Sequence, residues 1–182
     1  MDLDGFSRRA QAGIGLTRLD LPRRQGVNQL TADADGSFLL ERTTPGRYRI
    51  EVSPATLPGP PQLGFIASLG DTELPGGEFA FDGAPTPLRV HLLSATASLS
   101  VQVAEAGGGA AWDAIVHVEP VNPALMVKAG ATTDQNGNYQ GLLPPGEYRV
   151  WAQAEGSSAA PAQTVRLAAG ANPPLRFGLP AR

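Results

Sequence analysis

A doubled pattern constrains this chain more than any other feature. Thr31-Ala32-Asp33-Ala34-Asp35-Gly36-Ser37-Phe38, followed by Pro45-Gly46-Arg47-Tyr48-Arg49-Ile50-Glu51-Val52, returns about a hundred residues later. The second version is Thr132-Thr133-Asp134-Gln135-Asn136-Gly137-Asn138-Tyr139, followed by Pro145-Gly146-Glu147-Tyr148-Arg149-Val150-Trp151-Ala152. Each version reads as strand, tight turn, strand, Pro-Gly turn, strand. The repeat therefore predicts an all-β fold present in two tandem copies, residues 1–95 and 96–182.

The length suits that division, because half of 182 residues is about the size at which a small sandwich buries its own core. The 22 glycines and 17 prolines fall at regular intervals between short alternating apolar runs, as turn residues do, and not in low-complexity tracts. A formal charge of −3 and the lack of a Lys/Arg-rich stretch argue against a nucleic-acid or anionic-membrane surface, which needs clustered positive charge. Arg8-Arg9 and Arg23-Arg24 are the only doublets and read as solvated loop positions. With no cysteine there is neither a disulfide framework nor a thiolate site. No apolar run is long enough to span a bilayer, and Met1-Asp2-Leu3-Asp4 reads as lacking the basic and apolar regions of a signal peptide.

Two-residue alternation places strands in the first copy at Ile14 to Leu19, Gln29 to Ala32, Ser37 to Glu41, Arg47 to Val52, Gly64 to Leu69, Phe79 to Phe81 and Leu88 to Leu93. Pro54 to Pro61 reads as an extended loop. The second copy ends as the first does, with Leu175-Arg176-Phe177-Gly178-Leu179 matching Leu88-Arg89-Val90-His91-Leu92. It opens on a strand, Leu99 to Val103. Aligning Ile115 with Ile14 would put the counterpart of Leu99 before residue 1. The first copy is thus expected to lack its opening strand unless Met1 to Phe6 supplies a short one, and the chain reads as a piece of a longer modular protein. A sheet edge left unpaired in this way predicts homodimerisation or strand exchange.

The string Thr-x-Asp-x-x-Gly-x-Phe/Tyr with Pro-Gly-x-Tyr-x-Ile/Val resembles the core signature of carboxypeptidase regulatory-like domains, most strongly at Thr31 to Val52 and Thr132 to Ala152. The resemblance implies two tandem transthyretin-like (prealbumin-like) Greek-key β-sandwich domains. It further implies a non-catalytic accessory module of a secreted, periplasmic or cell-surface bacterial protein, with neighbouring domains or another protein as partners and no cofactor. Some relatives form Lys–Asn isopeptide bonds. Here Lys128 is the only lysine, in the Pro123 to Ala131 loop region and not on an opening strand.

The signature residues are explained by structure. Asp33 to Gly36 and Asp134 to Gly137 suit tight hairpins, while Tyr48 and Tyr148 can turn a ring inward and spend the hydroxyl on a loop carbonyl. Asp33 and Asp35 also resemble the start of a calcium loop, but the closing acidic ligand is missing and Asn136 stands where Asp35 does. His91 and His117 alternate with apolar neighbours and read as surface residues, in no zinc-peptidase spacing. There is no Gly-x-Ser-x-Gly elbow. The functional lead is aromatic. Trp151 falls on the outward face with Glu147 and Arg149, and Trp112 follows the flexible run Gly107 to Ala111, where it is either loop-displayed or the first inward residue of the next strand. Both are candidate contacts for a protein partner or, in a carbohydrate-binding module, for a sugar ring.

Overall fold

A computed structural model describes residues 12–21, 26–31, 33, 37–40, 43–54 and 64–181. The chain divides into two compact units, Met1–Ser94 with Pro123–Met126, and Ala95–Asn122 with Val127–Arg182. Nearly all regular structure is strand. The first unit holds β1 (Ala12–Arg18), β2 (Gly26–Thr31), β3 (Gly46–Pro54), β4 (Gly64–Leu69), β5 (Thr72–Glu73), β6 (Glu78–Phe81) and β7 (Leu88–Leu93). Then follow β8 (Ala97–Ala104), β9 (Ile115–Pro120), β10 (Leu125–Val127), β11 (Ala131–Thr132), β12 (Asn138–Leu143), β13 (Gly146–Gln153), β14 (Gln163–Leu167) and β15 (Leu175–Gly178).

The first unit pairs β2-β1-β3-β6 in one sheet, and the second pairs β11-β9-β13-β14 in the same chain order. Alternation decides which face of each strand is buried. In β13, Tyr148, Val150 and Ala152 are buried while Glu147 and Arg149 are exposed. In β3, Tyr48 and Ile50 go inward between Arg47 and Glu51. The opposing sheet of the second unit is β12-β8-β15, with β15 parallel to β8. Its core packs Leu99, Val101 and Val103 of β8 together with Val116, Val150 and Phe177. In the first unit the opposing strands are β7, β4 and β5, with β10 also paired to β4, around a core of Ile14, Leu16, Tyr48, Ile50, Phe65, Ala67, Val90 and Leu92.

Both signature tyrosines close the turn before their strand. The Tyr48 hydroxyl donates to the Thr44 carbonyl at 2.6 Å and that of Tyr148 to the Pro144 carbonyl at 2.8 Å, so each buried ring keeps its polar tip satisfied. Burial pushes the Tyr148 phenol up to about 12. The turn ahead of Tyr48 has a second support. Arg18 donates from Nε to Asp20 at 2.6 Å and reaches Thr44 Oγ1 and the Pro45 carbonyl at 2.8 and 3.1 Å. The bond from Arg18 holds the Asp20 carboxyl below its ordinary range.

The structure corrects two strand assignments. Ser37 to Leu40, expected as part of a strand to Glu41, forms no strand, whereas the matching β12 does, because β12 has β8 to pair with. A lone strand leaves its backbone groups without partners, so the same residue pattern extends or not according to its neighbour. The Pro123 to Ala131 region, expected as loop, contains β10, and Pro123 accepts a hydrogen bond from the Gly76 N–H at 2.9 Å. The Met1 to Phe6 segment, both Arg doublets, Asp35 with Gly36, and most of the Pro54 to Pro61 loop lie outside the described residues.

Candidate binding surface

Trp112 owes its position to a run of backbone bonds that ends at one buried hydroxyl. After β8 the chain reverses through Glu105 to Gly109, closed by bonds from Glu105 N–H to Gly109 and from Gly108 N–H to Glu105 at 2.8 and 2.9 Å, with Gly108 at φ 86°. Ala111 returns to the sheet by donating to the Val103 carbonyl at 3.0 Å. Trp112 and Asp113 then form the tip of a second turn, in which Asp113 takes φ 59°. Among residues with a side chain, Asp is one of the few that adopts this left-handed conformation readily.

Thr133 fastens that tip from below. It is 3% exposed; its Oγ1 donates to the Ala111 carbonyl at 2.6 Å and accepts from the Ala114 N–H at 3.0 Å. Its own N–H and carbonyl bond Ala114 and Asp113 at 2.9 and 3.3 Å. Ala111 and Ala114 are buried on either side, so the indole of Trp112 stands 68% exposed on an anchored base. Of the two placements open for Trp112 in the sequence, the structure selects loop display. Ile115, at the start of β9, is 44% exposed on the same stretch of chain.

Trp151 lies on the outward face of β13, as alternation requires, but its ring is engaged. It pairs across the sheet with His117, the two rings stacking at 4.8 Å with 6° between their planes, and the Arg149 guanidinium lies 5.6 Å from the indole. His117 is consequently not the plain surface histidine that its alternation suggests. It is half-buried beneath Trp151, and its Nε2 is buried without a hydrogen-bond partner among the described residues. His91 is exposed. No ring contact joins the two tryptophans, so the structure makes them separate features.

The Asp134 turn is held by its own side chain. Oδ1 accepts from the Asn136 and Asn138 N–H groups at 2.9 and 2.8 Å, and Gly137 takes φ 74°. Asp33, at the start of the first version of that turn, donates its N–H to the Ser37 carbonyl at 2.8 Å. Among the described residues no group of three or more His, Asp or Glu side chains is arranged to hold a metal ion. Lys128 is exposed. Sequence reasoning missed Thr133 and Asp113. The positive φ is foreshadowed only by Asp following a bulky residue after a glycine run, and the threonine clamp by nothing local.

The second unit, with its β12-β8-β15 sheet set against β11-β9-β13-β14, is the part of the chain that the family comparison meets. Residues 98–180 match the carboxypeptidase regulatory-like domain family. The match takes in the whole signature Thr132 to Ala152, the β8 strand from Ser98 onward, and both tryptophans. No curated protein matches the chain. Among solved structures it is similar to the Bacillus anthracis TIE protein at 13% identity, with a TM-score of 0.40, over 94% of this chain and 34% of that one. The chain thus spans about a third of the length of that structure. Within the second unit, Trp112 on its anchored turn is exposed, while Trp151 is stacked on His117.

Proposed function

We propose that this chain is a non-catalytic interaction module of a larger bacterial secreted or cell-surface protein, and that it makes its principal contact through Trp112. The observation that carries this reading is a tryptophan 68% exposed on a turn whose base is fixed by Thr133. An exposed indole loses little conformational freedom on binding when its backbone is already fixed, and tryptophan is among the residues most often found to dominate interface energy. The match of residues 98–180 to a regulatory-like domain family supports a module without catalysis, and the extracytoplasmic setting is part of the proposal, implied by the resemblance alone.

A carbohydrate-binding module is the second reading, favoured by the open face of the Trp112 indole. Trp151 supports it less, because His117 already stacks on that ring and Arg149 lies beside it. The nearby exposed Ile115 suits a polypeptide partner better than a hydroxyl-rich sugar. The two readings separate in a parallel screen of the purified chain against a displayed peptide library and a glycan array, alongside folded Trp112→Ala and Trp151→Ala variants. Peptide binding that Trp112→Ala abolishes and Trp151→Ala spares is the expected result. Glycan binding lost with a tryptophan would replace it with the second reading, and silence on both supports would overturn both.

A further inference from the structure

The two units differ in what lies beside their last strand. In the second, β15 lies parallel beside β8, with Leu175 opposite Val101 and Phe177 opposite Val103. The Leu179 N–H donates to the Ala104 carbonyl at 2.8 Å, so the inward-facing residues of β15, Phe177 and Leu179, direct their backbone groups toward β8. In the first unit β7 pairs antiparallel with β4, and the Gly70 N–H bond to the Pro87 carbonyl at 2.8 Å sets the alternation. Here the outward-facing residues Arg89, His91 and Leu93 point their backbone groups at β4, and Leu88, Val90 and Leu92 point theirs the other way.

In a strand of L-residues, side-chain direction fixes the flank to which the N–H points. Val90 and Leu92 face inward as Phe177 and Leu179 do, so their N–H groups reach the flank that β8 occupies in the second unit. β4 therefore sits on the opposite flank and does not replace a β8-like strand. Among the described residues nothing pairs with β7 on that side. An apolar cavity of about 670 Å³ opens nearby, lined by Leu16, Phe38, Leu40, Phe79, Phe81 and Leu88 among others, and Leu39 at its wall is 72% exposed.

We propose that this flank of β7 accepts a strand from another polypeptide, running parallel to β7 and carrying apolar side chains at alternate positions. The second unit supplies the stencil: β8 buries Ala97, Leu99, Val101 and Val103 and turns Ser98, Ser100 and Gln102 away from the core. The incoming strand pairs with Leu88, Val90 and Leu92 on one side. On the other it lies beside Phe38 to Leu40, which hold the chain position of β12 and form no strand. A second copy of this chain offers no spare strand of this kind among its described residues, since its β8 is already flanked by β12 and β15. Recognition is by main-chain hydrogen bonds plus alternate apolar pockets, the chemistry of β-strand addition.

The probe is a synthetic peptide with the sequence of Ala97 to Ala104, compared with one in which apolar and polar positions are exchanged, each added to the full chain while amide exchange is followed by NMR. In the free chain the amides of Val90 and Leu92 are expected to exchange about 100-fold faster than those of Arg89 and His91. The first peptide should slow them at least about tenfold while the exchanged peptide leaves them unchanged. Slow exchange at Val90 and Leu92 without peptide would overturn the proposal, showing the flank already filled. So would a homodimer in light scattering whose formation protects the same amides, or equal effects of the two peptides.

Discussion

The Thr133 hydroxyl joins two backbone groups from opposite sides of the Trp112 tip, and its removal isolates what that clamp contributes. Thr133→Val keeps the shape but leaves the Ala111 carbonyl and Ala114 N–H buried without their partner. The expected loss is about 2 kcal/mol of unfolding free energy, read from chemical denaturation, with Thr133→Ser close to the parent. Tyr148 gives a second test at this scale. Its phenol is pushed up to about 12 by burial, above the ordinary value near 10, so folding favours the protonated ring. The stabilisation is complete below pH ~10 and is lost as pH rises from ~10 through ~12. Denaturation curves across that range, with phenolate absorbance recorded alongside, should show stability falling for the parent. Tyr148→Phe should be less stable at neutral pH by about 1 kcal/mol and flatter in alkali.

At the scale of elements, the turn from Asp134 to Gly137 sets the register of β12 against β8. Gly137 donates its N–H to Asp134, gives its carbonyl to the Val103 N–H at 2.8 Å, and takes φ 74°; a Cβ there would lie 2.3 Å from the Val103 carbonyl oxygen. Gly137→Ala is expected to cost more than about 2 kcal/mol, since left-handed strain and a backbone clash add. Gly108→Ala, at φ 86° with open space around it, carries the strain alone and should cost less. Comparing the two melting curves checks the difference. Turn chemistry and alternation of this kind made most strands legible: β3, β7 and β13 follow directly from their spacing. Pairing was not legible. Ser37-Phe38-Leu39-Leu40 and Asn138-Tyr139-Gln140-Gly141 follow matching turn sequences, yet only the second forms a strand, because extension depends on a strand elsewhere in the chain. β10 is hidden for the same reason, as three residues with no alternation to read. Of the candidate site, the outward placement of Trp151 follows from alternation, while local sequence leaves Trp112 open between loop display and an inward position. The stacking of His117 on Trp151 required the cross-strand register, and the anchoring of Trp112 required Thr133.

For the whole molecule, the two units share one four-stranded sheet order and differ in the strands that face it. The second unit has its β8 strand in place and presents an indole on a fixed base. The first has the same four-stranded sheet and a flank of β7 that no described residue covers. Among the described residues no group of three or more His, Asp or Glu side chains is arranged to hold a metal ion, and for both surfaces the proposed role is contact. The central claim is that Trp112 is the principal contact of an interaction module, and its most direct test is calorimetric titration of the parent chain, Trp112→Ala and Trp151→Ala with a peptide selected on the parent. The account predicts that Trp112→Ala, folded as judged by circular dichroism, weakens binding by about 30-fold or more while Trp151→Ala changes it by less than about threefold. Equal affinity of Trp112→Ala and the parent would contradict it.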